Sequence, residues 1–459
     1  MKLKSCLLLT LMVCAMFACS DSDDPAVEQP KTPVVADATM AMSVQTKDRV
    51  ITKATKAITA AEWSKGDDVI KTLTVVVFNA GAYDGNGYNT GDVVASYSGS
   101  VIQGNDGIAT LSGEGLLSGA VEMLLIANLE PEAVSTISGY VTQNKGTGHY
   151  NKSDVLEVTT KLANEVNYKQ TGDKGLTMSE QISVTLQPGD NYIGWNDSKQ
   201  VTVKSTDTDL KGIELVRTVA YINLTKVTLQ LPEEYKAARF YVDSVFVANA
   251  KDISYIDENG NGYCEALTNP TYSIGSDWKD ATGTYKTASA TLLERLGVKI
   301  QYPLDYQDQN YQGKMPRLEV VGKNPTNSLD DLAKYGNNPF YVYENWKAND
   351  NYTLLIVKGD YYYSYDEDAL KDHEYGEGNL WTPVLNRYYT IIVNDKNFRS
   401  KGDVDPGYEH IKRNTKYNVS LTIAGTGSPD PFTPGAFAHV AAQVEVAAWN
   451  VIEIEQPVD

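Results

Sequence analysis

Short apolar runs separated by polar turns recur along most of this chain, and they constrain its fold more than any other feature. Val121–Ala127 is continuously apolar except for one glutamate, whereas Gln181–Leu186 alternates between apolar and polar residues. Short runs of this kind, bounded by turn residues, predict strands packed as sandwiches and not βαβ units. The other predicted strands are 73–78, 93–102, 219–231, 240–247, 253–256, 340–343, 352–358, 388–393 and 417–423.

Tyrosine use favours the same all-β class. The chain has 30 Tyr but only 8 Phe, and tyrosine suits strands that keep one wet face. The best candidate for a helix is Ser153–Leu162, with Ser153 as its expected N-cap. The sparse, polar stretch 197–211 is the best candidate for a domain boundary. We therefore predict an N-terminal domain over 50–208 and a C-terminal domain over 209–459.

The first residues predict export. Lys2 and Lys4 precede the apolar run Leu7–Phe17, which ends in Ala18 and Cys19. A positive start, a short apolar core and a small residue before the cut are typical of a secretory signal peptide. The run is too short for a permanent span, which needs about 20 apolar residues. The cysteine after the small residue predicts a lipoprotein, with a signal peptide over 1–18 and lipidation (palmitate) at Cys19.

The segment after the lipid site is predicted to be a tether. Ser20–Pro25 is acidic and polar and cannot bury apolar area. No later segment is apolar enough to span a membrane, so the lipid would be the only anchor. Cys264 is the one cysteine that remains beyond Cys19, which leaves no internal disulfide. A formal net charge of −19 argues against nucleic acid and anionic membrane surfaces as partners.

A one-sided strand is predicted just after the tether. Its apolar face consists of Ala38, Met40, Met42 and Val44, and its polar face of Thr39, Ser43 and Gln45. Lys47–Val50 follows, with Arg49 before Val50, and offers an exposed basic site to a trypsin-like protease. Residues 19–49 are therefore predicted to be a propeptide with a removable strand.

The other end of the chain has a similar pattern. Apolar residues again occupy every second position, with Gln443 and Glu445 between them, and the alternation resumes after a break at Trp449 and Asn450. The apolar residues are Val440, Ala442, Val444, Val446, Ala448, Ile452 and Ile454. A loop rich in Gly, Ser and Pro precedes it, so the segment 436–459 could swing away from its domain.

Both end segments can be interpreted as ordinary edge strands of their own sheets. Together they favour another interpretation. A cut after Arg49 would free the first strand and open a groove, and the last strand of a neighbouring copy could fill it through backbone hydrogen bonds and alternate apolar side chains. A head-to-tail contact of this kind does not close on itself and builds a filament.

Seven short segments stand out by their order and spacing, which cover nearly the whole chain beyond the signal peptide. They are Lys71–Asn79, Leu124–Asn128, Arg217–Ile222, Phe246–Ala250, Phe340–Asn345, Asn386–Tyr389 and Val444–Trp449. Together these segments resemble the fimbrillins of Bacteroidales, the shaft subunits of protease-assembled (type V) pili.

The resemblance implies two transthyretin-like β-sandwich domains in tandem and a non-enzymatic, structural role in a cell-surface fimbrium. It implies lipidation at Cys19, transport to the outer membrane, cleavage at Arg49 by an arginine-specific protease, and donor-strand exchange by the C-terminal strand. Other fimbrial subunits, further copies of the chain and an adhesion receptor are the implied partners. The C-terminal strand makes the chain resemble a shaft subunit, and Arg49 argues against the alternative of an anchor subunit, which would keep its lipid. Lys47, Lys53 and Lys56 leave alternative cut sites.

Catalytic and metal motifs are not evident. His149, His373, His410 and His439 are scattered without metal-ligand spacing, and we expect no cofactor and no metal. The segment Asp257–Gly262 matches the first half of a calcium loop but lacks its closing glutamate, so we interpret it as a hairpin turn.

An alternative function is a lipid-anchored surface protein that binds glycans or host ligands without polymerising. Tyr361, Tyr362, Tyr363 and Trp381 are the aromatic residues that such a protein would use. Packing between strands is the more economical interpretation of these residues.

Overall fold

The structure is a computed structural model of the whole chain. It describes residues 35–46, 67–103, 108–146, 148–162, 164–165, 175–195, 201–203, 212–231, 233–257, 272–273, 317–319, 328–330, 340–345, 353–370, 380–393, 411–429 and 440–448. The predicted all-β class is confirmed, and the chain forms two β-sandwich domains in tandem.

The first domain contains twelve strands and two α-helices among its described residues. The strands are β1 (Ala38–Thr46), β2 (Thr72–Asn79), β3 (Val93–Ser100), β4 (Ala109–Leu116), β5 (Gly119–Ala127), β6 (Asn144–Lys145), β7 (Gly148–His149), β8 (Thr159–Lys161), β9 (Met178–Leu186), β10 (Gly189–Ile193), β11 (Val201–Val203) and β12 (Ile213–Arg217); the helices are α1 (Pro131–Thr142) and α2 (Lys152–Leu156).

Nine of these strands form one sheet. Eight of them lie in the order β11-β10-β1-β12-β9-β5-β2-β3, and the ninth, β4, pairs with the edge of β1 that is opposite β10 and β12. Strands β2 and β5 are interior strands of this sheet, next to its edge strand β3, and are covered on both faces. Leu73 and Val75 face the main core with β1, whereas Val76 and Leu124 pack with α1 and α2. This double burial explains why the sequence of β5 is an almost unbroken apolar run.

The helices correct one sequence prediction. Helix α2 ends at Leu156, and its N-cap is Asn151, which exchanges hydrogen bonds with Asp154 in a capping box. Ser153 is not the cap, and the second half of the predicted helix is strand β8. Helix α1 was not predicted, because its β-branched residues and Gly139 have low helix propensity. Burial of Ala133 and Ile137 against the sheet stabilises it instead.

The strands of the second domain among the described residues are β13 (Val219–Leu229), β14 (Ala237–Ala248), β15 (Ala250–Lys251), β16 (Ile253–Tyr255), β17 (Tyr272–Ser273), β18 (Arg317–Glu319), β19 (Ser328–Asp330), β20 (Phe340–Tyr343), β21 (Leu354–Ser364), β22 (Thr382–Ile392), β23 (Thr415–Ile423) and β24 (Val440–Ala448). They form two facing sheets, β19-β13-β23-β24 with β20 beside β13, and β18-β14-β21-β22. In the part of the chain that the structure describes, one 3₁₀ turn lies in the first domain at Asp84–Asn86 and one in the second at Glu367–Leu370.

The two domains are joined by strand pairing and by buried polar contacts. Strand β12 still belongs to the first sheet, beyond the predicted boundary at 208, and β13 begins the second domain directly afterwards. Strand β16 of the second domain pairs with β8 of the first. The buried Arg217 side chain donates to the carbonyl of Asp67, and Tyr341 donates to the carboxylate of Asp67.

A pair of carboxyl groups lies at this junction. The Thr160 hydroxyl is 3.1 Å from Glu130 Oε1 and 3.0 Å from Glu165 Oε1, and it has one proton to donate. Tyr343 of the second domain reaches the same Glu165 oxygen at 3.4 Å, and the Thr177 amide donates to its other oxygen. Burial raises the pKa of Glu165, and the charge of Glu130 raises it further.

Replacing Glu165 with glutamine is expected to flatten the pH dependence of stability. A carboxyl whose folded pKa lies above its unfolded value of about 4.3 stabilises fully below that value and loses the contribution as pH rises through the folded pKa. Urea unfolding at about pH 5 and about pH 8 measures this difference. The exposed Glu132→Gln is the matched control, and an unchanged difference in Glu165→Gln would contradict the expectation.

Candidate functional site

Strand β1 occupies a slot in the first domain and is paired along both edges. On one edge it runs antiparallel to β4, from Ala38 opposite Leu116 to Val44 opposite Ala109. On the other edge it runs parallel to β10 and then to β12. Strand β1 is therefore an interior strand and not an edge strand.

The predicted apolar face of β1 lies in the core. Ala38, Met40, Met42 and Val44 are all buried, with at most 3% of each side chain exposed, and they belong to the same cluster as Leu73 and Met123. Full burial of a methionine or valine side chain contributes about 1.5–3 kcal/mol. The apolar face is thus a major part of the packing of this domain.

The predicted polar face holds only in the first half of β1. Thr39 and Ala41 are half-buried, but Ser43 is completely buried and Gln45 is 9% exposed. The reason is a close backbone approach, because a Cβ built on Gly212 would lie 2.8 Å from the carbonyl carbon of Val44. Gly194 approaches the carbonyl of Ser43 in the same way. The groove closes over the second half of the strand.

Polar side chains hold both ends of β1. The Ser118 amide and hydroxyl each donate to the Asp37 carboxylate at 2.7 Å, and the bond from the amide lowers the pKa of Asp37. At the other end, the Thr46 hydroxyl donates to the carbonyl of Asp68 at 2.9 Å. Residues before 35 and from 47 to 66 lie outside the described part of the chain, so the structure describes neither Cys19 nor the Arg49–Val50 bond.

The C-terminal strand β24 has a different position. It pairs with β23 along its whole length, from Ile423 opposite Val440 to Thr415 opposite Ala448. In the described residues β24 is the last strand of its sheet and is paired along one edge. The backbone positions of Val440, Ala442, Val444, Val446 and Ala448 are described, whereas Ile452 and Ile454 lie outside the described residues.

Two family models match this chain without overlapping. The model described as major fimbrial subunit protein (FimA) matches residues 38–225, from β1 into the start of the second domain. The model described as FimA4 pilin C-terminal domain matches residues 321–449, which include β24. The chain belongs to the fimbrillin family of Bacteroidales. The fimbrillin is therefore a structural protein of the cell surface and not an enzyme.

Curated relatives of this fimbrillin agree with the family models. It is 29% identical over 308 residues to the major fimbrium subunit FimA type-2 of Porphyromonas gingivalis, covering 63% of this chain and 69% of the relative. The major fimbrium subunit FimA type-3 of the same organism is 28% identical over 311 residues, covering 65% of this chain and 70% of the relative.

Solved structures share the fold of this fimbrillin. A candidate cell adhesion protein of Parabacteroides distasonis has a TM-score of 0.55 and 24% identity, covering 91% of this chain and all of that chain (100%). A fimbrilin of Porphyromonas gingivalis has a TM-score of 0.50 and 19% identity, covering 91% of this chain and 99% of the other. At these identities the likeness is one of fold alone.

The aromatic residues considered for ligand binding are mostly packed inside the second domain of the fimbrillin. Tyr361 is fully buried and Tyr362 is 7% exposed, while Tyr363 is half-buried and stacks on Tyr235. Trp381 lies under the guanidinium of Arg239, 4.1 Å from its ring centroid. These side chains stabilise the sandwich and do not form the exposed platform that the alternative function requires.

The suspected calcium turn is engaged in the domain junction at its first residue. The Asp257 carboxylate accepts hydrogen bonds from Ser179, at 2.8 Å, and from Gln181. Residues 258–271 lie outside the described residues, and those that are described contain no cluster of potential metal ligands. None of the described helices is long and apolar enough to cross a bilayer.

Sequence reasoning missed the side chains that contact the backbone of β1. Asn191 Nδ2 donates to the carbonyl of Thr39 at 3.0 Å, and Trp195 Nε1 donates to the carbonyl of Ala41 at 3.3 Å. Both residues lie about 150 positions away from β1 in the chain, and no local pattern connects them to it. The tryptophan that follows the predicted strand Gln181–Leu186 was the one signal that could have suggested a contact.

Proposed function

We propose that this fimbrillin polymerises head to tail by donor-strand exchange. Cleavage after Arg49 frees β1 from everything that follows it, β1 leaves its groove, and the C-terminal strand of a neighbouring copy takes its place. The observation that carries the proposal is the interior position of a strand that precedes the predicted cut. Pairing on both edges and a buried apolar face make β1 a plug that one peptide-bond cleavage can release.

An empty groove would be unstable, so the departure of β1 is coupled to the binding of a donor strand. Loss of β1 exposes the surfaces that bury Met40, Met42 and Val44, at a cost of about 5–9 kcal/mol for the three side chains. It also leaves two rows of backbone groups without partners, on β4 and on β10 with β12. A strand that supplies both apolar side chains and backbone bonds offsets this cost.

Strand β24 has the properties of a donor. It is as long as β1, with 9 residues in each, and its sequence carries an apolar residue at every second position. It needs to leave only one neighbouring strand, β23. Because donor and groove lie on different domains, each added copy presents a new donor and the filament stays open.

The wider life cycle is part of the proposal. The precursor is lipidated at Cys19, reaches the outer membrane through that lipid, and is cut by an arginine-specific or trypsin-like protease. The mature subunit then enters a fimbrium at the cell surface and contributes to adhesion to a host or bacterial receptor. Family membership supports the surface location and the association with other fimbrial subunits.

The mass and N-terminal residue of the protein in sheared surface material test maturation. We expect a chain that begins at Val50 and carries no lipid, because the plug must be lost before a neighbour can bind. A chain that begins at a lipidated Cys19 would show that the groove stays filled. That result would contradict polymerisation and would favour an anchor subunit or a lone binding protein.

Deletion of residues 440–459 tests the donor. The truncated chain is expected to fold and to be cleaved, since β24 forms one edge of its sheet, but to give monomers in place of filaments. Size-exclusion chromatography and electron microscopy after protease treatment give the readout. The double variant Val444→Gln with Val446→Gln keeps the strand and controls for the loss of chain length. Normal filaments from the deletion would contradict the proposal.

A further inference from the structure

Two side chains, Asn191 in β10 and Trp195 just after it, bind the backbone of β1 and not its side chains. The acceptors are the carbonyls of Thr39 and Ala41, which point to the same edge because they are two residues apart in a strand. The donors, Asn191 and Trp195, therefore form a short row along the groove. We call this pair the carbonyl rail.

The carbonyl rail does not depend on β1 for its own geometry. The Asn191 amide is held by the turn before β10, where its Oδ1 accepts from the Gln187 amide at 2.8 Å and its Nδ2 donates to the Gln187 carbonyl at 2.8 Å. Asn191 is 1% exposed. Trp195 packs edge-on against Tyr192, with ring centroids 6.3 Å apart. Both donors stay oriented when the groove is vacated, which lowers the entropy lost in binding a new strand.

A rail of this kind suits a groove that must hold two different sequences. Strand β1 presents alanine, methionine, methionine and valine to the core, whereas the apolar phase of β24 contains only valine and alanine. The side-chain fit of the two strands cannot be the same. Every extended strand, however, offers carbonyls on one edge at every second residue.

We infer that Asn191 and Trp195 are positioning residues for strand exchange. They donate hydrogen bonds to the backbone of the strand that fills the groove, which is first β1 and then the C-terminal strand of a second copy. The inference rests on the proposed function. The two hydrogen bonds to backbone carbonyls would bind a strand of any sequence, whereas the apolar contacts of the groove depend on the side chains of the strand. Trp195 is the cleaner residue to test, because Asn191 also holds the turn at Gln187.

The test uses the full chain after cleavage and two fluorescent peptides, one with residues 35–48 and one with residues 436–459. Each peptide is loaded into the groove, and its dissociation rate is measured in wild type and in Trp195→Phe. Phenylalanine keeps an aromatic ring, smaller than the indole, but removes the N–H, so we expect both peptides to dissociate about fivefold faster, the effect of one neutral hydrogen bond. The matched control is Trp381→Phe, whose indole N–H finds no acceptor among the described residues.

The outcomes separate the inference from the proposed function. Equal rates in wild type and Trp195→Phe, or a change for only one peptide, would overturn the carbonyl rail and leave strand exchange intact. If wild type holds peptide 35–48 but never 436–459, strand exchange itself fails. Should Trp195→Phe not reach the thermal stability of Trp381→Phe, wild type is tested with a 35–48 peptide that carries a thioamide at Ala41, which is a weaker acceptor for the Trp195 N–H, and faster dissociation than from the unmodified peptide is expected.

Discussion

Joining β1 covalently to β4 is expected to abolish filament growth while the subunit stays folded and is still cleaved. Ala41 and Ser112 lie directly opposite each other in the antiparallel pair, and Ser112 is exposed while Ala41 is half-buried. Opposed Cα atoms in such a pair are about 4.5–5.5 Å apart, which a disulfide can bridge. The double substitution Ala41→Cys with Ser112→Cys therefore tethers the plug, with Cys264→Ser included to prevent mispairing.

Filament yield after protease treatment should fall at least about tenfold under oxidising conditions, because uncatalysed disulfide rearrangement takes minutes to hours. A reducing agent should restore it in the same sample, which makes each preparation its own control. The two single cysteine variants should polymerise normally. Filaments that grow equally well with the disulfide closed would mean that β1 does not leave the groove, and strand exchange at this site would be wrong.

Breaking the buried ion pair Arg413–Glu344 is expected to give the largest loss of stability. Arg413 Nε lies 3.0 Å from Glu344 Oε2, and each side chain is 1% exposed. Arg413 also donates to the carbonyl of Tyr255, in the strand β16 that pairs with the first domain. Arg413→Ala leaves a carboxylate buried without its guanidinium, which typically costs about 3–5 kcal/mol.

Urea unfolding of Arg413→Ala and of the double variant Arg413→Met with Glu344→Gln measures this cost. The double variant removes both charges and fills the space of the arginine stem, so we expect well under half of the loss. Equal losses in the two variants would show that the hydrogen bond to Tyr255 or simple packing, and not the stranded charge, determines the effect. The exposed salt bridge between Lys145 and Asp154 offers a contrast, because pairs of that kind contribute about 0–1 kcal/mol.

The strands of this fimbrillin were predictable because a strand is a local object. Alternation with a period of two residues depends only on neighbouring side chains, and it predicted the inward face of β1 and the positions of β13 and β23 within a few residues. The resemblance to fimbrillins was likewise visible in short strand segments. Buried runs such as β5 were evident from their length and composition.

Tertiary contacts decided what local pattern could not. Helix α1 forms because the outer face of β2 and β5 needs a cover, although its own residues favour other conformations. Ser43 and Gln45 are buried because Gly194 and Gly212 come from a distant part of the chain to approach them. No local periodicity contains these approaches.

The sequence by itself determined the class of the protein, the apolar face of its first strand and the family to which the chain belongs. Only the tertiary structure decided that this strand is an interior plug, that Asn191 and Trp195 bind its backbone, and that Arg413 and Glu344 form a buried pair. The physical reason is the distance along the chain over which each kind of interaction acts. Periodicity and turn chemistry act over a few residues, whereas a groove, a hydrogen bond across about 150 residues and a buried charge pair exist only once the chain has folded.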